Sequence, residues 1–198
     1  MDMVKFIVRN AEEKDLEHVK DIVDAIYEAS REKGTGIAIR EEGYISQKIT
    51  DGKAVIAVTD SGKWAGFCYI ESWGHNKYVA NSGLVVSSLF RGQGLAKAIK
   101  EKAMLLSFEK FPGARLFGLT TSLAVMKINS DLGYQPVTFS ELTDDDEFWK
   151  GCETCPYYDI LVRTKRSHCL CTGMIKKQER TIEEIKAQQL KSVRIIFQ

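Results

Sequence analysis

The residues best suited to chemistry lie between Leu84 and Phe108, where an apolar strand, a tight turn and an amphipathic helix follow one another. The turn reads Arg91-Gly92-Gln93-Gly94-Leu95-Ala96. Gly92 and Gly94 leave the backbone uncovered where the chain enters the helix. The first N–H groups of a helix have no partners inside it, and with the positive end of the helix dipole they make a site for a phosphate or diphosphate. A larger side chain there would hold an anion away from the amides. The local pattern also fits a plain structural turn. A Walker loop is excluded because Gly-Lys-Ser/Thr is absent. A Rossmann fingerprint is excluded because Lys97 stands where its third small residue belongs.

A second group is near the C-terminus. Cys152-x-x-Cys155 and Cys169-x-Cys171 offer four thiols, with His168 beside them. Four thiolates could hold zinc tetrahedrally and fasten the tail to the body. The Cys-x-Cys half departs from the usual ribbon spacing, and reduced thiols that simply fill space fit the same pattern. The fifth cysteine, Cys68, lies in an apolar run, so the count is odd and a disulfide framework is disfavoured. No strand–helix context of the thioredoxin kind surrounds Cys152 and Cys155.

These groups must be positioned by alternating elements. Lys5 to Arg9 reads as a strand, and Glu12 to Ser30 carries Leu16, Val19, Ile22, Val23 and Ile26 at helical spacing. A short helix over Gly43 to Thr50 precedes a hairpin, Ala54 to Thr59 and Ala65 to Ser72, turned by Asp60-Ser61-Gly62-Lys63. Tyr78 to Ser88 is a strand, the Arg91 turn opens a helix ended by Pro112-Gly113, and Arg115 to Thr120 is a strand again. Leu123 to Leu132 reads as a helix stopped by Gly133, and Tyr134 to Phe139 as a strand. Thr143 caps a short helix holding Phe148 and Trp149, and Tyr157 to Arg163 reads as the last strand. The order predicts a mixed α/β domain around one sheet.

Composition sets outer bounds. In 198 residues, 28 Lys+Arg oppose 27 Asp+Glu and 44% are hydrophobic, which suits a single domain with a full core. The near-neutral balance gives no general field for nucleic acid or an anionic membrane. No apolar run reaches membrane-helix length, and Met1 to Asn10 lacks the form of a signal peptide, so a cytoplasmic protein is expected.

The segment around the turn resembles motif A of the GNAT superfamily of N-acetyltransferases, Arg/Gln-x-x-Gly-x-Gly/Ala, met here by Arg91, Gly94 and Ala96 with Val86 on the preceding strand. Leu123 to Tyr134, ending Asp131-Leu132-Gly133-Tyr134, is similar to motif B. The resemblance implies a mixed, mostly antiparallel central sheet flanked by helices. It implies that acetyl-CoA sets its diphosphate on the amides of Arg91, Gly92, Gln93, Gly94, Leu95 and Ala96. The pantetheine arm would then run between splayed strands along Leu84, Val85 and Val86. A backbone N–H there would polarise the thioester carbonyl, and catalysis would rest on positioning and on delivering an uncharged amine.

In the family a carboxylate or ordered water often takes the acceptor's proton. Glu71, ending the third strand, is the first candidate for that base and His75 the second; a solvated strand end and a loop residue are the plainer readings. The tyrosine that protonates the departing thiolate in many members is matched by Asn129, which can donate a hydrogen bond but cannot serve as that acid.

The sequence therefore reads as a GNAT-like domain over residues 1–163 with a cysteine-bearing, helical extension over residues 164–198. Its expected work is transfer of an acetyl or other short acyl group from a CoA thioester to a primary amine of a small molecule, such as the amino acid glutamate. The alternatives are a CoA-binding sensor with weak catalysis and a zinc-stabilised interaction module held by Cys152, Cys155, Cys169 and Cys171. Ile182, Ile185 and Leu190 on the last helix would either dock on the domain or form a homodimer contact.

Overall fold

The computed structural model describes residues 4–32 and 37–176. The expected last helix and its homodimer face fall outside the described residues. Seven strands form one sheet in the order β1-β2-β3-β4-β5-β7-β6. They are β1 (Phe6–Asn10), β2 (Ala54–Thr59), β3 (Trp64–Trp73), β4 (Tyr78–Val86), β5 (Arg115–Thr120), β6 (Gln135–Val137) and β7 (Thr172–Lys176). Every neighbouring pair is antiparallel except β4 and β5, which run parallel. The helices are α1 (Val19–Glu32), α2 (Glu42–Thr50), α3 (Leu95–Lys110), α4 (Leu123–Asp131), α5 (Asp146–Lys150) and α6 (Tyr158–Arg163). No helix among the described residues is long and apolar enough to cross a membrane.

Both faces of the sheet centre are covered, and β2 shows how. Its Val55 and Ala57 enter the core under α3, with Ile99, Ala103 and Phe108, while Ala54, Ile56 and Val58 enter the core under α1 and α2, with Ile22, Ile26, Ile45 and Ile49. The two-residue strand period meets the helix stripes of α1 and α2 on one side and of α3 on the other. A third apolar cluster joins Phe117 and Ile175 to Phe139, Leu142, Trp149 and Leu161 at the far end of the sheet. At the first edge, Asp15 accepts two hydrogen bonds from Arg9, at 2.6 and 2.8 Å, and one from the Glu12 amide, tying β1 to the 3-10 turn Glu13–His18.

Two expectations need correction. Residues 158–163 form helix α6, not a strand: Leu161 is buried, Val162 is exposed, and Lys165 and Arg166 stop the helix with positive φ angles of 49° and 63°. The last strand is instead β7, which lies between β5 and β6. A boundary at residue 163 would cut this strand from the sheet it belongs to. The cap of α5 is likewise Asp145, which accepts from the Glu147 amide at 3.0 Å; Thr143 sits two residues earlier and accepts from the Asp145 amide.

Candidate active site

The parallel pair β4–β5 is matched only at Tyr78↔Arg115, Val79↔Leu116 and Ala80↔Phe117. Beyond Ala80 and Phe117 the two strands separate, although β4 continues to Val86 and β5 to Thr120. A bulge adds to the divergence: between Phe67↔Val85 and Tyr69↔Ser82, the single residue Cys68 of β3 faces both Gly83 and Leu84 of β4. Such a bulge bends its strand and leaves one residue out of the ladder. Gly83 is required there, since φ is +62° and a Cβ would stand 2.5 Å from Cε1 of Tyr69.

A cleft of about 850 Å³ passes through this gap. Leu84, Val85 and Val86 line it on one side and Gly118 to Ser122 on the other. Its mouth is the turn into α3. Gly92 and Gly94 have φ of +81° and +79°, with nothing within 4 Å of either missing Cβ. No side chain caps the helix that starts at Leu95. Gln93 is exposed in the turn, and Arg91 and Ala96 line the cleft; the Arg91 Nε donates to the Val86 carbonyl at 3.3 Å, holding the turn against the end of β4. Exposed amides, a helix N-terminus and an open approach meet the needs of a diphosphate.

On the α2 side the cleft is polar and aromatic. Glu71 lines it, and both of its contacts fall on Oε2: the Tyr44 hydroxyl donates to that oxygen, and the Lys48 ammonium pairs with it at 2.6 Å. Oε1 has no hydrogen-bond partner among the described residues. Arg40 donates from Nε to the Tyr69 hydroxyl at 2.9 Å and lies over the Tyr44 ring at 5.2 Å. Burial pushes the phenols of Tyr44 and Tyr69 up, so both stay protonated. Burial works against the charge of Arg40, but Tyr69 and Tyr44 outweigh it and its pKa is raised. No carboxylate makes an ion pair with Arg40 among the described residues. The Trp73 indole N–H, also on the cleft wall, is buried without a partner among the described residues.

His75 is not in this site. It occupies the turn between β3 and β4 with φ of 55°, exposed and outside the cleft lining, in a turn whose Gly74 amide donates to Asp145 at 2.8 Å. Asn129 does reach the cleft: it is 1% exposed, its Nδ2 lies 3.6 Å from Sδ of Met174, and its Oδ1 is buried with no partner among the described residues. Arg40, Tyr44, Tyr69, Trp73 and Lys100 carry no sequence motif and were not anticipated.

The four C-terminal cysteines line the same cleft, and Cys152, Cys169 and Cys171 pack against the Trp149 cluster. Among the described residues, however, no three His, Cys, Asp or Glu side chains converge to hold a metal ion. Burial raises the thiols of Cys152 to about 11 and Cys171 to about 12, and lifts Cys155 as well. Protonated thiols packed against aromatic rings act here as apolar filler. The zinc expectation at Cys152, Cys155, Cys169 and Cys171 is therefore not supported.

The chain belongs to the acetyltransferase (GNAT) family, whose sequence model matches residues 17–127. No curated protein sequence matches it. In fold it is similar to an N-acetylglutamate synthase from Neisseria gonorrhoeae, solved with coenzyme A and N-acetyl-glutamate: TM-score 0.63 and 16% identity, over 90% of this chain and 36% of that one. It is also similar to Rv2747 from Mycobacterium tuberculosis (TM-score 0.61, 15% identity, 87% of this chain and 99% of that one). A third is diaminobutyrate acetyltransferase EctA from Paenibacillus lautus, with its substrate L-2,4-diaminobutyric acid and coenzyme A: TM-score 0.57, 13% identity, 88% and 96% of the two chains. The chain thus spans about a third of the Neisseria synthase and nearly all of the mycobacterial protein.

Proposed function

We propose that this acetyltransferase moves an acetyl group from acetyl-CoA to the primary amine of a small amino acid, with glutamate as the first acceptor to test. One observation carries the reading: the uncovered turn at Arg91–Ala96 opens directly onto the cleft between the parted ends of β4 and β5. In this reading the amides of the turn hold the diphosphate, and the edges of β4 and β5 freed beyond Ala80 and Phe117 hold the arm that ends in the thioester. The bulge at Gly83 and Leu84 brings backbone N–H groups to the reacting carbonyl.

The α2 side of the cleft then serves the acceptor. The Oε1 of Glu71 takes the proton from the acceptor ammonium, and Lys48 and Tyr44 orient the carboxylate through its other oxygen. Arg40, with no carboxylate paired to it among the described residues, and the Trp73 N–H, without a partner among them, are donors for an acceptor carboxylate. Support from outside the chain is that structures of similar fold were solved with N-acetyl-glutamate and with L-2,4-diaminobutyric acid.

The test is thiol release from acetyl-CoA across a panel of amino acids and simple amines, with the product identified by mass. Acceptors that pair a carboxylate with a primary amine are expected to lead the panel, and Arg40→Met to raise KM for them selectively. Equal turnover of amines with and without a carboxylate would overturn the acceptor assignment.

A further inference from the structure

Lys100 is the one cation of α3 that turns inward. It is 2% exposed, yet it lines the cleft. No carboxylate pairs with it among the described residues, and it donates no hydrogen bond there. Its Nζ lies 5.3 Å from the centre of the Tyr134 ring and 3.8 Å from where a Cβ on Gly118 would stand. The Nδ2 of Asn129 lies 4.0 Å from that same point, and the Oδ1 of Asn129 is buried and without a partner among the described residues. Gly118 follows Phe117, the last residue of β5 that pairs with β4. An ammonium without a carboxylate among the described residues and the amide of Asn129 thus both lie near Gly118, where the strands part. Burying a lone charge is costly unless something supplied from outside compensates it.

The other proton-bearing groups nearby are committed elsewhere. The Tyr134 hydroxyl donates to Oδ1 of Asn81 at 2.9 Å, Nδ2 of Asn81 donates to Oγ of Ser107 at 2.8 Å, and Ser107 donates to the Ala103 carbonyl at 2.7 Å. Tyr134 does not line the cleft. The Cys68 thiol is fully buried on β3 and donates toward the Ser82 carbonyl at 3.3 Å. Cys68 and Tyr134 are the titratable groups facing Lys100 from the packed elements; no aspartate or glutamate does so among the described residues.

We propose that Lys100 is the proton donor to the sulfur of departing coenzyme A, a role that rests on the acetyl-transfer reading above. As the neutral acceptor nitrogen bonds to the thioester carbon and sheds its extra proton to water, the carbon–sulfur pair moves to sulfur. Nζ of Lys100 passes a proton to that sulfur, leaving the free thiol and a neutral amine, which regains its proton from water when the product departs. Asn129 cannot supply this proton. Burial lowers the pKa of Lys100, which brings its proton within easier reach of a thiolate.

The test uses the full chain and the variants Lys100→Met and Lys100→Arg. Methionine matches the length of lysine and removes a stranded charge, so Lys100→Met should fold and melt no lower than the parent chain. Its kcat is expected to fall on the order of a hundredfold, with KM for acetyl-CoA within about threefold. The alkaline limb of the kcat profile, where Lys100 loses its proton, should vanish in that variant, and Lys100→Arg should recover part of the rate. A turnover-free readout is the ultraviolet absorbance of bound coenzyme A thiolate: the thiol should ionise at lower pH on the parent chain than on Lys100→Met. An unchanged kcat, an alkaline limb that persists, or an identical thiol titration would overturn the assignment of Lys100. Absence of thiol release from the parent chain with every amine would instead overturn the acetyl-transfer reading, and the Lys100 assignment with it.

Discussion

Replacing Gly83 with alanine tests how the bulge builds the site. The left-handed φ of +62° costs a residue with a Cβ about 1–2 kcal/mol. The new methyl would stand 2.5 Å from Cε1 and 2.8 Å from Cδ1 of Tyr69. That ring is 2% exposed and has little room to retreat, so overpacking adds roughly 1–3 kcal/mol. Together the two effects predict a loss of about 2–5 kcal/mol, which for a chain of this size lowers Tm by roughly 5–15 °C. Because Tyr69 accepts from Arg40, the displaced ring should also raise KM for the acceptor more than KM for acetyl-CoA. Differential scanning calorimetry and steady-state kinetics read the two effects. Gly43→Ala is the control: it lies in α2 at ordinary φ with open space around its Cβ, and should be neutral or stabilising by up to about 1 kcal/mol. A Gly83→Ala chain that melts within a degree of the parent, or no lower than Gly43→Ala, would refute the reasoning.

Three further outcomes are expected. Gly94→Val should weaken coenzyme A binding at least tenfold by titration calorimetry, about 1.4 kcal/mol, and an unchanged affinity in a folded variant would count against the anion turn. Glu71→Gln should slow acetyl transfer on the order of a hundredfold and, by leaving the buried Lys48 without its partner, destabilise the fold by roughly 3 kcal/mol; denaturant unfolding beside kinetics separates the two. Burial raises the Asp15 carboxyl, but the paired Arg9 and the Glu12 amide outweigh it, so its folded pKa lies below the ordinary value. Its contribution is therefore full above the unfolded pKa near 4 and is lost as pH falls through the lower folded value. The stability gap between the parent and Asp15→Asn should be widest at neutral pH and close in acid; a gap that widens in acid would contradict this.

Much of the architecture was legible because the signals were local. The apolar run of residues 54–59, the Asp-Ser-Gly turn after it and the Arg91–Ala96 turn each state their structure within a few residues. Residues 157–163 misled because a short run of Tyr, Ile, Leu and Val suits a strand or a buried helix equally, and only the stop at Lys165 and Arg166 decides. The strand at 172–176 was hidden by cysteines before it and charge after it, and its place between β5 and β6 is a long-range fact no local pattern carries. In the site, the anion turn was readable, whereas Arg40, Tyr44 and Tyr69 come together only through tertiary packing. Lys100 left one trace: it falls in line with Ala96, Ala103, Met104 and Ser107 on the inward stripe of α3, a lysine where the period calls for an apolar residue.

The most direct measurement is a crystal structure of the full chain with coenzyme A. Diphosphate oxygens within hydrogen-bond reach of the amides between Arg91 and Ala96, and the thiol lying between β4 and β5 beside Gly118, are the predicted result. Coenzyme A bound anywhere else, with that turn and the gap between the strands left vacant, would contradict the account.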